Sequence, residues 1–178
     1  MSQDTVILDQ AGIARALTRI AHEILEKNKG TDDLVLVGIR SGGDHLARLL
    51  RDRIVEIEGV EIPLGAVDIT MYRDDIGSRG TLPVGKTEIP FALDGKKIIL
   101  VDEVIFTGRT IRAALDALID IGRPDCIQLA VLIDRGHREL PIRPDFVGRN
   151  VPTARDEDIC VFFDHAQPIE VRLVKSLT

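Results

Sequence analysis

Strand-length apolar runs alternate with helical patterns along this chain. Leu34–Ile39, Leu64–Thr70, Lys97–Val101, Ile127–Ile133 and Ile159–Phe163 read as strands. Several are almost continuously apolar, as strands covered on both faces must be. Helical spacing falls at Asp9–Lys27, Asp44–Glu56 and Thr110–Ile121. In the first of these, at 100° per residue, Ile13, Leu17, Ile20 and Ile24 form a narrow apolar stripe. Arg15, Thr18, Arg19 and His22 fall on the opposite side. Strand–helix alternation of this kind predicts an α/β fold with a mainly parallel sheet flanked by helices.

Two stretches break the rhythm. Arg73–Phe91 holds three glycines and two prolines among mixed charges, and reads as a long, mobile hairpin-like excursion. Arg135–Arg155 is rich in Arg, Pro and Gly. Long irregular segments inside a compact domain are more often functional than accidental. No internal repeat or low-complexity linker divides the 178 residues, so one domain spanning 1–178 is expected.

Composition narrows the function. The net charge is −6, from 23 Lys+Arg against 29 Asp+Glu, so any nucleic-acid site is a local patch and not a basic coat. One Tyr, five Phe and no Trp argue against a platform that stacks successive bases. Cys126 and Cys160, the only cysteines, supply neither a disulfide framework nor a cysteine zinc site, which fits a reducing cytoplasm. The four histidines have no metal-ligand spacing, and no protein-held metal is expected. The N-terminus lacks the basic flank and apolar run of a signal peptide, and no apolar run is long enough to span a bilayer.

The candidate chemistry lies in Ile98–Thr110. A buried strand runs into Asp102 and Glu103, then Val104, Ile105 and Phe106, and then Thr107-Gly108-Arg109-Thr110 opens a helix. Open α/β sheets bind ligands at the carboxyl ends of their strands. The amides of the Thr-Gly-Arg-Thr turn and the Thr hydroxyls suit a phosphate, and the helix dipole adds to this. Carboxylates one loop away suit ribose hydroxyls, so the order of groups suggests a ribose 5-phosphate site. Taken singly, an acid pair ends many strands and a threonine caps many helices. A second strand–turn–helix runs through Arg40-Ser41-Gly42-Gly43, whose glycines allow close backbone approach.

The Ile98–Thr110 segment closely resembles the phosphoribosyl-pyrophosphate motif of type I phosphoribosyltransferases. Ala16–Ile24, Asp68–Asp75 and Asp134–Arg143 extend the likeness, and nearly the whole chain resembles the pyrimidine operon attenuation proteins, the PyrR family. The resemblance implies a single-domain type I phosphoribosyltransferase-like fold with a flexible hood hairpin at about 73–91. It implies two activities: binding of pyrimidine operon leader mRNA under control of UMP and UTP, and conversion of uracil plus phosphoribosyl pyrophosphate into UMP and pyrophosphate. Mg²⁺ would act through the substrate's pyrophosphate and ribose hydroxyls. Asp102 and Glu103 become the catalytic carboxylates, and Val104–Thr110 the nucleotide loop. Arg40–Gly43 becomes the pyrophosphate turn, and Arg135 and Ile159 become nucleotide contacts. Thr18, Arg19, His22, Arg143 and Arg149 map onto an RNA-contacting surface. A homodimer or larger homo-oligomer is implied.

Two positions depart from the family pattern. The pyrophosphate turn commonly reads Thr-Arg-Gly, and here the arginine position is Gly42. Glu103 stands where an aspartate is usual. Because a reach changed by about 1 Å can cost on the order of 10²-fold in rate, weakened transfer with retained nucleotide sensing is expected. A purely regulatory RNA-binding protein with a retired active site, and a phosphoribosyltransferase for another base without an RNA role, are the competing readings.

Overall fold

The computed structural model describes residues 4–75 and 85–175. Eight strands and three α-helices follow in the order β1 (Thr5–Asp9), α1 (Gln10–Asn28), β2 (Leu34–Ile39), α2 (Gly43–Glu58), β3 (Leu64–Val67), β4 (Lys97–Ile105), α3 (Arg109–Ile121), β5 (Cys126–Asp134), β6 (Phe146–Asn150), β7 (Glu157–Asp164) and β8 (Gln167–Lys175). The main sheet has the order β3-β2-β4-β5-β6, and all four pairings in it are parallel. A smaller antiparallel sheet joins β1, β8 and β7.

Alternation along the central strands builds two cores. Leu34, Leu36, Ile99 and Val101 face α1 and α2. Val35, Val37, Ile98 and Leu100 face α3. In β2 every residue is buried, which accounts for its unbroken apolar run. The stripe Ile13, Leu17, Ile20 and Ile24 of α1 is at most 2% exposed, whereas Arg15, Thr18, Arg19 and His22 are exposed. Asp9 is the N-cap of α1, its Oδ1 accepting from the Gly12 amide at 2.7 Å.

The sequence reading needs four corrections. Strand β4 continues past Val101 to Ile105, because pairing with β5 persists through Val104↔Ile133 and Ile105↔Asp134. The two acids therefore stand within the strand. Strand β3 ends at Val67, and a single 3-10 turn follows at Thr70–Tyr72. Arg135–Arg155 contains β6, held parallel to β5. The second, antiparallel sheet was not foreseen. Of the hood excursion, residues 76–84 lie outside the described residues. Its returning limb meets the edge of the main sheet, where Ala66 and Glu88 exchange backbone hydrogen bonds of 2.8 Å.

Candidate functional site

The parallel order places the carboxyl ends of β2 and β4 side by side. The Arg40–Gly43 turn and the Phe106–Gly108 turn therefore face the same end of the sheet, each leading into a helix. Glycine spacing sets the first junction. A side chain on Gly38 would collide with the Asp44 backbone, with its amide nitrogen at 2.6 Å. A side chain on Gly43 would run into the Val101 carbonyl and come within 3.1 Å of Asp102 Cα. So the start of α2 is wedged between β2 and β4, directly beside the acids.

The second turn is built for a free helix start. Gly108 is the N-cap of α3 with φ +94°, a conformation open to glycine, and has no side chain to cap the helix; the Thr107 hydroxyl accepts from the Arg109 amide at 3.3 Å. The first N–H groups of a helix have no intrahelical partner, and the dipole favours an anion there. The Thr107 carbonyl accepts from the Glu139 and Leu140 amides at 2.9 and 3.1 Å, which pins the turn to the segment after β5. Arg109 reaches sideways to Asp74 and Glu139 at 2.7 and 3.0 Å, tying the start of the excursion to this turn. A cavity of about 300 Å³ lies here, lined by Arg73, Asp74, Phe106, Thr107, Arg109 and Thr110 among others.

The acids sit in unusual surroundings. Asp102 is buried, and desolvation pushes its pKa up to about 7, against the opposing hydrogen bond from the Glu103 amide at 2.8 Å. Burial, and then the neighbouring Asp102 and Asp44, push Glu103 up to about 8. Among the described residues no cation pairs with either acid. Hard oxygen donors lacking a counter-charge suit a divalent ion that arrives on a phosphorylated substrate. Among the described residues, no group of three or more His, Cys, Asp or Glu could hold a metal.

These shifts set a sign for the pH dependence of stability. Both acids have native pKa values above their ordinary values of 3.8 and 4.5. Between about pH 4 and pH 8 the folded protein therefore binds more protons than the unfolded chain. The contribution of Asp102 and Glu103 to the stability of the ligand-free protein falls as pH rises through that window and levels off above it. Glu103→Gln, which cannot ionise, should gain melting temperature over the wild type at pH 8.5 and lose that gain at pH 5. Thermal denaturation at the two pH values checks this, and a gap independent of pH contradicts it.

Arg135, a nucleotide contact by resemblance, already has partners within the protein. It is 6% exposed, and its guanidinium is already engaged. Nη1 donates to Asp158 at 2.7 Å, Nη2 to the Glu157 carbonyl and Nε to Thr153 at 3.3 Å. Its plane lies 4.0 Å from the Phe106 ring centroid. The neighbouring Asp134 carboxylate is taken by Arg138 at 2.6 Å. Arg135 thus clamps β7 to the end of β5 and supports Phe106, whose ring is 38% exposed. The Ile159 side chain is core, so any contact of this residue with a base runs through its main chain. Arg40 points towards Glu88, at 3.6 Å, and lines a separate cavity of about 700 Å³ with His45, Arg48 and Lys86.

The fold joins part of the candidate RNA face. Arg19 donates to the Val147 and Gly148 carbonyls of β6 at 3.2 and 2.6 Å and pairs with Glu23 at 2.7 Å. On the same strand Arg149 donates to the Ile7 carbonyl at 2.7 Å. So α1, β1 and β6 present Thr18, Arg19, His22 and Arg149 as a continuous unit. Arg143 is exposed and lines a different cavity, with Arg138 and Asn150. Arg53 of α2 was missed: its Nε donates to Thr18 Oγ1 at 3.1 Å. Nothing in the spacing within one helix could reveal that partnership, which needs α1 packed on α2.

The model of the phosphoribosyl transferase domain matches residues 4–165. A bifunctional protein PyrR of Citrifermentans bemidjiense is 70% identical over 177 residues, which cover 98% of this chain and all of the relative. The PyrR proteins of Geobacter sulfurreducens and Halalkalibacterium halodurans are 67% and 54% identical over 98% and 97% of the chain. Among solved structures, a hypoxanthine phosphoribosyltransferase of Trypanosoma cruzi superposes with a TM-score of 0.72 at 16% identity, over 97% of each chain. That likeness speaks for the fold, a type I phosphoribosyltransferase sheet.

Proposed function

This chain belongs to the PyrR family of phosphoribosyltransferases, and from that membership we propose that it regulates pyrimidine operons by binding leader mRNA in response to uridine nucleotides and also forms UMP from uracil and phosphoribosyl pyrophosphate. The observation that carries the reading is the pair of neighbouring turns at the ends of β2 and β4, with two carboxylates between them and a helix start with a glycine N-cap beyond.

In the transfer, the bond from C1′ to pyrophosphate oxygen breaks. The bond from uracil N1 to C1′ forms, and the N1 proton is released. The ribosyl centre becomes cation-like as the leaving group departs. Asp102 and Glu103 hold the ribose hydroxyls and stabilise that charge. Thr107–Thr110 grip the 5-phosphate. Gly42 and Gly43 let the backbone of the first turn approach the pyrophosphate. Mg²⁺ arriving with the substrate would lie between the pyrophosphate and the ribose hydroxyls that Asp102 and Glu103 hold, and would supply charge screening for the leaving group. Phe106 offers its exposed face to the base. The described limbs of the 73–91 excursion flank the site, and their closing over it would exclude water from the activated sugar. Missing an arginine at 42 and carrying the longer acid at 103, this protein should transfer slowly while still sensing nucleotide.

The proposed RNA face lies on α1 and β6, with Arg143 just before β6. With few aromatics, its specificity comes from hydrogen bonds and hairpin shape. The proposal places the protein in the cytoplasm, with the message. Two assays test it. Uracil-dependent release of pyrophosphate must be detectable. Operon leader RNA must bind more tightly with UMP, and binding must weaken steeply with salt. His22→Ala should weaken RNA binding on the order of tenfold, the loss of one good contact, at unchanged UMP affinity. Parallel loss of both affinities counts against a separate RNA face. Absence of both activities in the wild type overturns the proposal.

A further inference from the structure

The two departures from the family pattern meet in space. Gly42 is buried, with φ +108°. A side chain built on it would collide with the Glu103 carboxyl, reaching Oε2 at 2.7 Å and lying closer still to Oε1 and Cδ. The Glu103 carboxyl therefore occupies the place that a side chain at 42 would take. The extra methylene of a glutamate, about 1 Å of reach, is what brings it there. Asp44 closes the arrangement by accepting from the Gly42 amide at 2.9 Å. The guanidinium of Arg40 does not answer the charge, since it turns to Glu88.

We propose that Gly42 and Glu103 work as one unit, in which the Glu103 carboxyl rests on the Arg40–Gly43 turn and sets how readily that turn accepts a pyrophosphate group. This rests on the reading of the turn as the pyrophosphate holder. A multiply charged anion entering the turn meets a carboxyl already in place. Glu103 must leave the turn, swinging towards the ribose hydroxyls, before the anion can settle. An aspartate at 103 would stop short of the turn, and an alanine would vacate it. Burial beside Asp102 and Asp44 favours the protonated acid in the resting protein, which is consistent with its lodging there without a cation.

The test uses inorganic pyrophosphate with Mg²⁺, titrated calorimetrically into the full-length wild type, Glu103→Asp and Glu103→Ala. Both variants should bind on the order of tenfold more tightly, because the group that fills the turn in the resting protein has been withdrawn. Equal or weaker binding in both, or no binding in any, overturns the proposal. A second measurement needs no ligand. Gly42→Ala should lower the melting temperature of the wild type by several degrees, and by clearly less in the Glu103→Ala background. An equal drop in both backgrounds would leave only backbone strain at 42 and would sink the coupling. UMP titrated into the wild type separates this inference from the one beneath it. Failure of UMP to bind counts against the nucleotide site, whereas the pyrophosphate series decides the role of the pair.

Discussion

Gly43→Ala should cost roughly 3 kcal/mol of stability, at the upper end for overpacking, because the atom it meets is backbone and cannot rotate away. In a chain of 178 residues that is a fall of roughly 6–12 °C in melting temperature. The new methyl group runs into the Val101 carbonyl, one residue before Asp102, in the interior of the sheet. Relief comes only by lifting the start of α2 away from β4. That motion carries the Arg40–Gly43 turn away from the acids, so the folded fraction should also lose on the order of 10²-fold in transfer rate. Gly38→Ala should behave alike, since it meets the Asp44 backbone from the β2 side of the same wedge. Thermal denaturation and turnover per folded molecule check both variants. A variant that melts like the wild type and turns over normally would show that α2 need not sit so close.

Arg135→Ala is the second large effect. Loss of a buried charge partner can cost 3–5 kcal/mol. Here Asp158 is 55% exposed and water can take over its carboxylate, so about 2 kcal/mol is expected, mainly from the Glu157 carbonyl and the lost packing. Removing the guanidinium also takes the floor from under Phe106 and frees β7 from the end of β5. UMP affinity should therefore drop together with stability. Arg135→Lys should recover little, because an ammonium cannot reproduce the planar fork that serves Asp158, Glu157 and Thr153 at once. If Arg135 instead held a phosphate or base directly, UMP affinity would fall while the melting temperature stayed put. Paired denaturation and UMP titration distinguish the two.

Much of this architecture was readable from residue order, and the reasons are local. Strand β2 and the stripe of α1 carry their burial in their own periodicity. The candidate phosphate turn stands out because a buried strand, two acids and a Thr-Gly-Arg-Thr helix start occur in one continuous run. What escaped depends on partners far along the chain. Strand β4 was cut short at Asp102, because a charged residue looks like a strand end until β5 is seen pairing beyond it. Strands β1 and β8 are half-exposed and pair with each other across nearly the full length of the chain, which leaves a weak pattern in each. The partners of Arg135 could not be read from residue order, because its acceptors arrive only when β7 returns. Gly42 and Glu103 looked like two independent departures, and only the adjacency of β2 and β4 makes them one.

The most direct measurement is a crystal structure of the wild-type protein with UMP. The account predicts the 5-phosphate on the amides of Thr107–Thr110 at the start of α3, the ribose hydroxyls on Asp102 and Glu103, and the base against Phe106. A nucleotide lodged elsewhere, with that turn holding only water, would contradict it.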